Sequence, residues 1–183
     1  AEQPAPQPRA PRPQHRAPKR RPSTRLLPAG LKCGVDAPRI HDVFNEGRRL
    51  KLPDLPNAGA LLLRVLLELA ASHYLQRAGK TQALIARHTK GGKRKRDWYP
   101  SLRQQLSFLL EEIDLGLEPL ELKALRQFVQ RGTSILSLDT LDGFAHNKQL
   151  RPTEQDLRAV YTTLEPLLRL LLEEPGQPPA GAQ

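Results

Sequence analysis

The chain has 183 residues, of which 29 are Lys or Arg and 19 are Asp or Glu, for a formal net charge of +10. Leucine supplies 34 residues, while valine and isoleucine together supply only 9. Leucine suits helices and β-branched side chains favour strands, so a large β-sheet protein is nearly excluded. The single cysteine, Cys33, excludes an internal disulfide and a cysteine-built zinc site.

Taken in chain order, residues 1–30 read as a disordered, basic, Pro-rich tail or linker. Eight of the 18 prolines fall within residues 1–28, and residues 1–25 carry a net charge of +6. Proline without hydrophobic periodicity gives extended chain. Arg20 and Arg21 are candidate phosphate contacts there, since each Lys or Arg near a phosphate displaces counterions. A solvated linker is the other, and the favoured, reading of the same residues. The N-terminus has no apolar core of a signal peptide. The most apolar segment, residues 58–71, is interrupted by Arg64 and Glu68, so no membrane span is expected and a reducing, cytoplasmic setting is. The chain has no methionine, which fits either removal of an initiator residue or a segment of a longer protein.

Residues 31–173 read as an all-α bundle of six to seven helices. The first covers residues 38–50, with Asp36 as a cap, Pro38 in the first turn and Ile40, Val43, Phe44 and Leu50 as its apolar stripe. The second, residues 57–78, carries Leu61, Leu62, Leu63, Val65, Leu66, Leu67 and Leu69 around its whole circumference and stops at Gly79. A helix apolar all round belongs at the centre of a bundle. A short third helix (81–88) leads into a basic loop, HTKGGKRKRDWYP. Residues 87–97 carry a net charge of +5, which with the tail leaves −1 for the rest of the chain. Lys93, Arg94, Lys95 and Arg96 beside Trp98 form a candidate nucleic-acid grip, by charge plus stacking. Trp98 and Tyr99 closing the core beside a solvated loop is the other reading. Helices over 100–113, 119–130, 137–145 and 153–172 complete the bundle. Thr153 and Asp156 pair as a capping box, and Pro166 is expected to kink the last helix. Residues 174–183 read as a second disordered tail.

Two constellations stand out. Arg64 and Glu68 lie four apart on one face of the leucine-rich second helix. A charge buried there needs a partner, so the pair is either a structural ion pair, completed by Asp139 or Asp142, or part of a polar pocket. The segment SILSLDTLDGFAHNKQLRPT gathers Ser134, Ser137, Asp139, Thr140, Asp142, His146 and Asn147. His146, at a helix end, serves either as a cap for the last carbonyls or as a general base with an orienting partner.

The run from Arg39 to Leu75, RIHDVFNEGRRLKLPDLPNAGALLLRVLLELAASHYL, followed by that segment, resembles a helical bacterial domain of the HEPN-like kind, over roughly residues 22–172. The resemblance rests on an early Arg-x-x-x-Glu element, here Arg64 and Glu68, and a late His-Asn, here His146 and Asn147. It implies a helical module of the sort that stands at the C-terminal end of longer proteins, ParB-like and phage-defence-associated ones among them, with RPSTRLLP resembling the join. Catalytic members of that kind are metal-independent ribonucleases with an Arg, four to six residues and then a His. His41, His73, His88 and His146 lack that Arg, and the positions before His146 hold Asp139, Thr140 and Leu141. Only Arg9 and His15 fit, within the tail. The expected function is therefore a non-catalytic interaction module, acting by self-association or partner docking. A nucleic-acid-binding accessory protein is the first alternative. An atypical ribonuclease, with His146 as base and Arg64 as electrostatic helper, is the second. No cofactor and no metal are expected.

Overall fold

Proline opens three of the helices at a position where its missing N–H costs no hydrogen bond. The computed structural model describes residues 24–89, 98–132, 134 and 136–173. These form seven helices: α1 (Pro38–Arg49), α2 (Pro56–Arg77), α3 (Thr81–Thr89), α4 (Leu102–Glu112), α5 (Pro119–Val129), α6 (Leu138–His146) and α7 (Glu154–Leu172). Each stands within two residues of its expected span. Among the described residues there is no strand, only an isolated bridge between Arg25 and Lys51. The all-α bundle is as the composition requires.

Helix α2 is the axle. It packs against α1, α3, α4, α6 and α7, and α5 leans on α4 and α7. Leu63, Leu66, Leu67 and Leu75 are buried on its inner side. By length and mean hydropathy α2 would also suffice to cross a membrane, because its leucines outweigh Arg64 and Glu68; here it serves as the core helix. It is not buried all round, however. Leu61 is 46% exposed, and Leu62, Val65 and Leu69 on the same side are half-buried. The helix ends in a Schellman turn: Lys80 N–H donates to Leu75 O (2.9 Å) and Gly79 N–H to Gln76 O (3.1 Å). Gly79 takes φ +66° there, which only glycine adopts without strain.

Two expectations need correction. Asp36 does not cap α1. Pro38 fixes the first turn, which makes Ala37 the N-cap residue, and no side chain caps the helix. The body also begins earlier than residue 31. Residues 24–30 form a strap over α1, with Leu26 N–H on Leu50 O (3.1 Å), Leu27 N–H on Gly47 O (3.3 Å) and Leu52 N–H on Thr24 O (2.9 Å). Leu26 and Leu27 are buried. Gly47 makes room for them, since a Cβ at that position would stand 2.9 Å from Leu27 Cδ1. Pro166 stands inside α7, which continues on both sides of it. The carbonyl left without a donor belongs to Thr162, an exposed residue, so water can take its place. The capping box at Thr153 forms as expected, with Asp156 N–H on Thr153 Oγ1 and Thr153 N–H on Asp156 Oδ2.

The far end of the domain closes on its beginning. Gly34 N–H donates to Leu172 O (2.8 Å), and Lys32 N–H to Glu173 Oε1 (3.4 Å). The expected tail residues 1–23 and 174–183, and with them Arg20 and Arg21, lie outside the described residues. So do Lys93, Arg94, Lys95 and Arg96. Of the loop's aromatics, Trp98 is half-buried and Tyr99 is 44% exposed, so Tyr99 does not close the core. Pro100 is buried in its stead, its carbonyl accepting from the buried Gln105 amide (2.9 Å).

Candidate functional site: an arginine clamped between two helices

The spacing of Arg64 and Glu68 puts both on the flank of α2 that faces α6. Arg64 Nη1 donates to Glu68 Oε2 at 2.6 Å, and Arg64 Nε donates to Asp142 Oδ1 at 2.6 Å. Of the two acids offered as a third member, Asp142 completes the group. The Arg64 side chain is 23% exposed, Glu68 40% and Asp142 37%. The group is thus a half-open clamp and not a buried ion pair. Burial works against the Arg64 charge, but the hydrogen bonds and charges of Glu68 and Asp142 outweigh it, and its pKa moves up. One cation between two carboxylates leaves the site with a net charge of −1.

Asp139 belongs to a different contact. It accepts from Arg103 Nη2 on α4 (2.5 Å) and from Gly132 N–H (3.0 Å), so it ties the start of α6 to α4 and to the turn that follows α5. Ser137 caps α6: its Oγ accepts from Thr140 N–H (3.2 Å), and Thr140 Oγ1 donates to Ser134 O (2.7 Å). The polar cluster that reads as one constellation in sequence is therefore split between two separate contacts of a nine-residue helix.

His146 is the last residue of α6, one turn beyond Asp142. It is exposed and has no side-chain hydrogen bond or ion pair among the described residues. It does not bond the last carbonyls. That work falls to the chain itself, with Asn147 N–H on Gly143 O at 2.7 Å. Asn147 Oδ1 accepts from Gln149 N–H (2.9 Å), which makes Asn147 a turn residue. Leu150 then folds back over α6, where a Cβ on Gly143 would stand 2.7 Å from Leu150 Cδ1. The candidate catalytic pair of Arg64 and His146 thus consists of a guanidinium committed to two carboxylates and a ring without an orienting partner. A general base needs such a partner, and a phosphate helper needs spare positive charge.

Sequence reasoning passed over Arg103, which donates to Asp139 and to Val129 O, and Arg126, which donates to Leu110 O at 3.2 Å. These two arginines satisfy carbonyls in the last turns of α5 and α4. Their partners lie 16 to 36 residues away in the chain, beyond any local pattern. Among the described residues no group of three His, Cys, Asp or Glu side chains has the arrangement to hold a metal ion.

No family model matches this chain, and neither a curated protein nor a solved structure does.

Proposed function

We propose that the chain is a non-catalytic, HEPN-like helical interaction module that works by self-association or by docking a protein partner. On this reading it is the C-terminal part of a longer bacterial DNA-maintenance or defence-associated protein in the cytoplasm. One observation carries the proposal. A half-open apolar stripe of α2, Leu61, Leu62, Val65 and Leu69, lies beside the Arg64–Glu68–Asp142 clamp. The spacing of those four residues is that of a helix seam, and the clamp holds α2 and α6 in fixed register next to it. Light scattering of the full chain at rising concentration tests self-association. A dimer that Leu61→Glu turns into a monomer is the expected result. A wild-type monomer throughout the range removes self-association and leaves partner docking.

The charge distribution favours a second reading, a nucleic-acid-binding accessory protein. The two basic segments hold +6 and +5, while the clamp is net negative. Binding to labelled single-stranded RNA should then fall steeply with salt and weaken when Lys93 to Arg96 are changed to Ala. Unchanged affinity in that variant would make the loop a linker. The same RNA, incubated with wild type and His146→Ala in EDTA, is expected to stay intact in both. Cleavage by wild type alone would reinstate the atypical ribonuclease.

A further inference from the structure

A groove of about 670 Å³ runs between the last turns of α7 and the connection from α4 to α5. Its apolar lining is Tyr74 from α2, Leu115 and Leu117 from the connection, and Pro166 and Leu170 from α7. Leu115 is buried and the other four are half-buried. The volume falls within the range of ligand sites.

The charges around this groove are in acidic surplus. Asp114 is exposed, its Oδ1 accepts from Gly116 N–H (3.1 Å), and it pairs with no cation among the described residues. Glu165 and Glu173 share one cation, Arg169, which is the only basic residue in the lining. Three carboxylates against one guanidinium leave a net charge of −2. Helix α4 ends two residues before Asp114, and α7 ends at Leu172. The carbonyl end of a helix adds further negative potential. An occupant with apolar surface and positive charge fits such a wall.

Of the stretches of this chain outside the described residues, one has both features. Residues 8–22, PRAPRPQHRAPKRRP, hold five prolines and six Lys or Arg, with no Asp or Glu. Residues 90–97 hold no proline, and residues 174–183 hold Glu174 and no Lys or Arg. Proline-rich peptides bind aromatic-lined grooves at low entropic cost, and arginines bond carboxylates strongly. The covalent join is also near. The strap that follows this stretch runs along the groove's wall, where Arg169 Nη1 donates to Gly30 O (3.1 Å) and Lys32 N–H to Glu173 Oε1 (3.4 Å). Fifteen residues at about 3.1 Å each can reach about 45 Å, against a radius of about 15 Å for a body of this size.

We propose that the groove between α7 and the α4–α5 connection is the docking site of this chain's own basic, proline-rich segment, residues 8–22. The site is independent of the α2 stripe and does not rest on the interaction-module reading. Docking there withholds six cations from any polyanion, so the groove and a nucleic acid compete for the same segment.

The test is limited trypsin digestion of the full chain, dilute and at low salt, beside a synthetic peptide of residues 1–23 as the free reference. Trypsin cuts after Arg9, Arg16, Lys19 and Arg20, since Arg12 and Arg21 precede proline. Cleavage follows the undocked fraction, and tethering gives a high effective concentration. These bonds should therefore be cut about fivefold or more slowly in the protein than in the peptide. Asp114→Lys and Leu170→Ala should each restore the rate of the peptide. Asp114 is exposed, so its variant keeps the test decisive if Leu170→Ala fails to fold. A rate equal to that of the peptide in wild type overturns the proposal. So does protection that the groove variants leave intact, and so does protection that grows with protein concentration, which would assign the segment to a second copy.

Discussion

Arg64 and Arg169 each sit between two carboxylates, and they do different work. Arg64 on α2 is held by Glu68 one turn on and by Asp142 from α6, a separation of 78 residues. Arg169 on α7 is held by Glu165 and Glu173, both one turn away on its own helix, and reaches across to the strap only through Gly30 O. The first clamp joins elements that are distant in the chain. The second mostly stiffens a helix that would form without it. An ion pair within one helix stabilises by a few tenths of a kcal/mol, whereas one that fixes two elements is coupled to their packing.

The largest expected effect lies where the strap meets the core. Leu27 is 1% exposed. Leu27→Ala should lower stability by about 2–4 kcal/mol in urea unfolding. A loss under about 0.5 kcal/mol would mean that residues 24–30 are not part of the cooperative unit. Next comes the interhelix clamp. Arg64→Ala leaves two carboxylates facing each other, but both are more than a third exposed, so the loss should be about 1–2 kcal/mol rather than the larger cost of a fully buried pair. A double-mutant cycle of Arg64→Ala with Asp142→Ala should show a coupling of about 0.5–1 kcal/mol. A coupling of zero would reduce the clamp to a surface contact. Arg169→Gln should cost least, below about 1 kcal/mol. A loss as large as that of Arg64→Ala would erase the distinction between the two clamps.

The α7 side also carries a pH signature. The folded pKa of Tyr161 is raised above its ordinary value of 10.0 by burial and by Glu165 and Glu173. Above pH 10 the unfolded chain loses this proton while the folded one keeps it, so this contribution to stability is present below pH 10 and declines as pH rises further. Wild type should therefore lose stability between pH 10 and 11 faster than Tyr161→Phe, as read by urea midpoints. Parallel slopes would show that the phenol is solvated.

Much of the fold was legible because its signals are local. Pro38, Pro56 and Pro119 mark helix starts, Gly79 marks a stop, and Thr153 with Asp156 closes a capping box within three residues. Each depends on backbone donors and acceptors a turn apart. The Arg64–Glu68 half of the clamp was legible for the same reason. Its third member was open between Asp139 and Asp142 because the two lie three apart on one short helix, and only the packing of α6 against α2, with Arg103 of α4 reaching Asp139, assigns them. The strap was misread. Two leucines in a run of prolines and arginines look like linker, and their burial depends on the space left at Gly47, 20 residues away.

The sequence alone therefore determined the helical class, the helix limits, the central place of α2 and the separation of basic segments from a nearly neutral body. Composition, hydrophobic period and capping chemistry act over a few residues and need no knowledge of neighbours. Tertiary structure decided which acid meets Arg64, that His146 has no side-chain partner among the described residues, that the strap belongs to the core, and that the Tyr161 hydroxyl is buried. Those outcomes depend on which surfaces meet when the helices pack, and contacts across tens of residues leave no periodic trace in the chain.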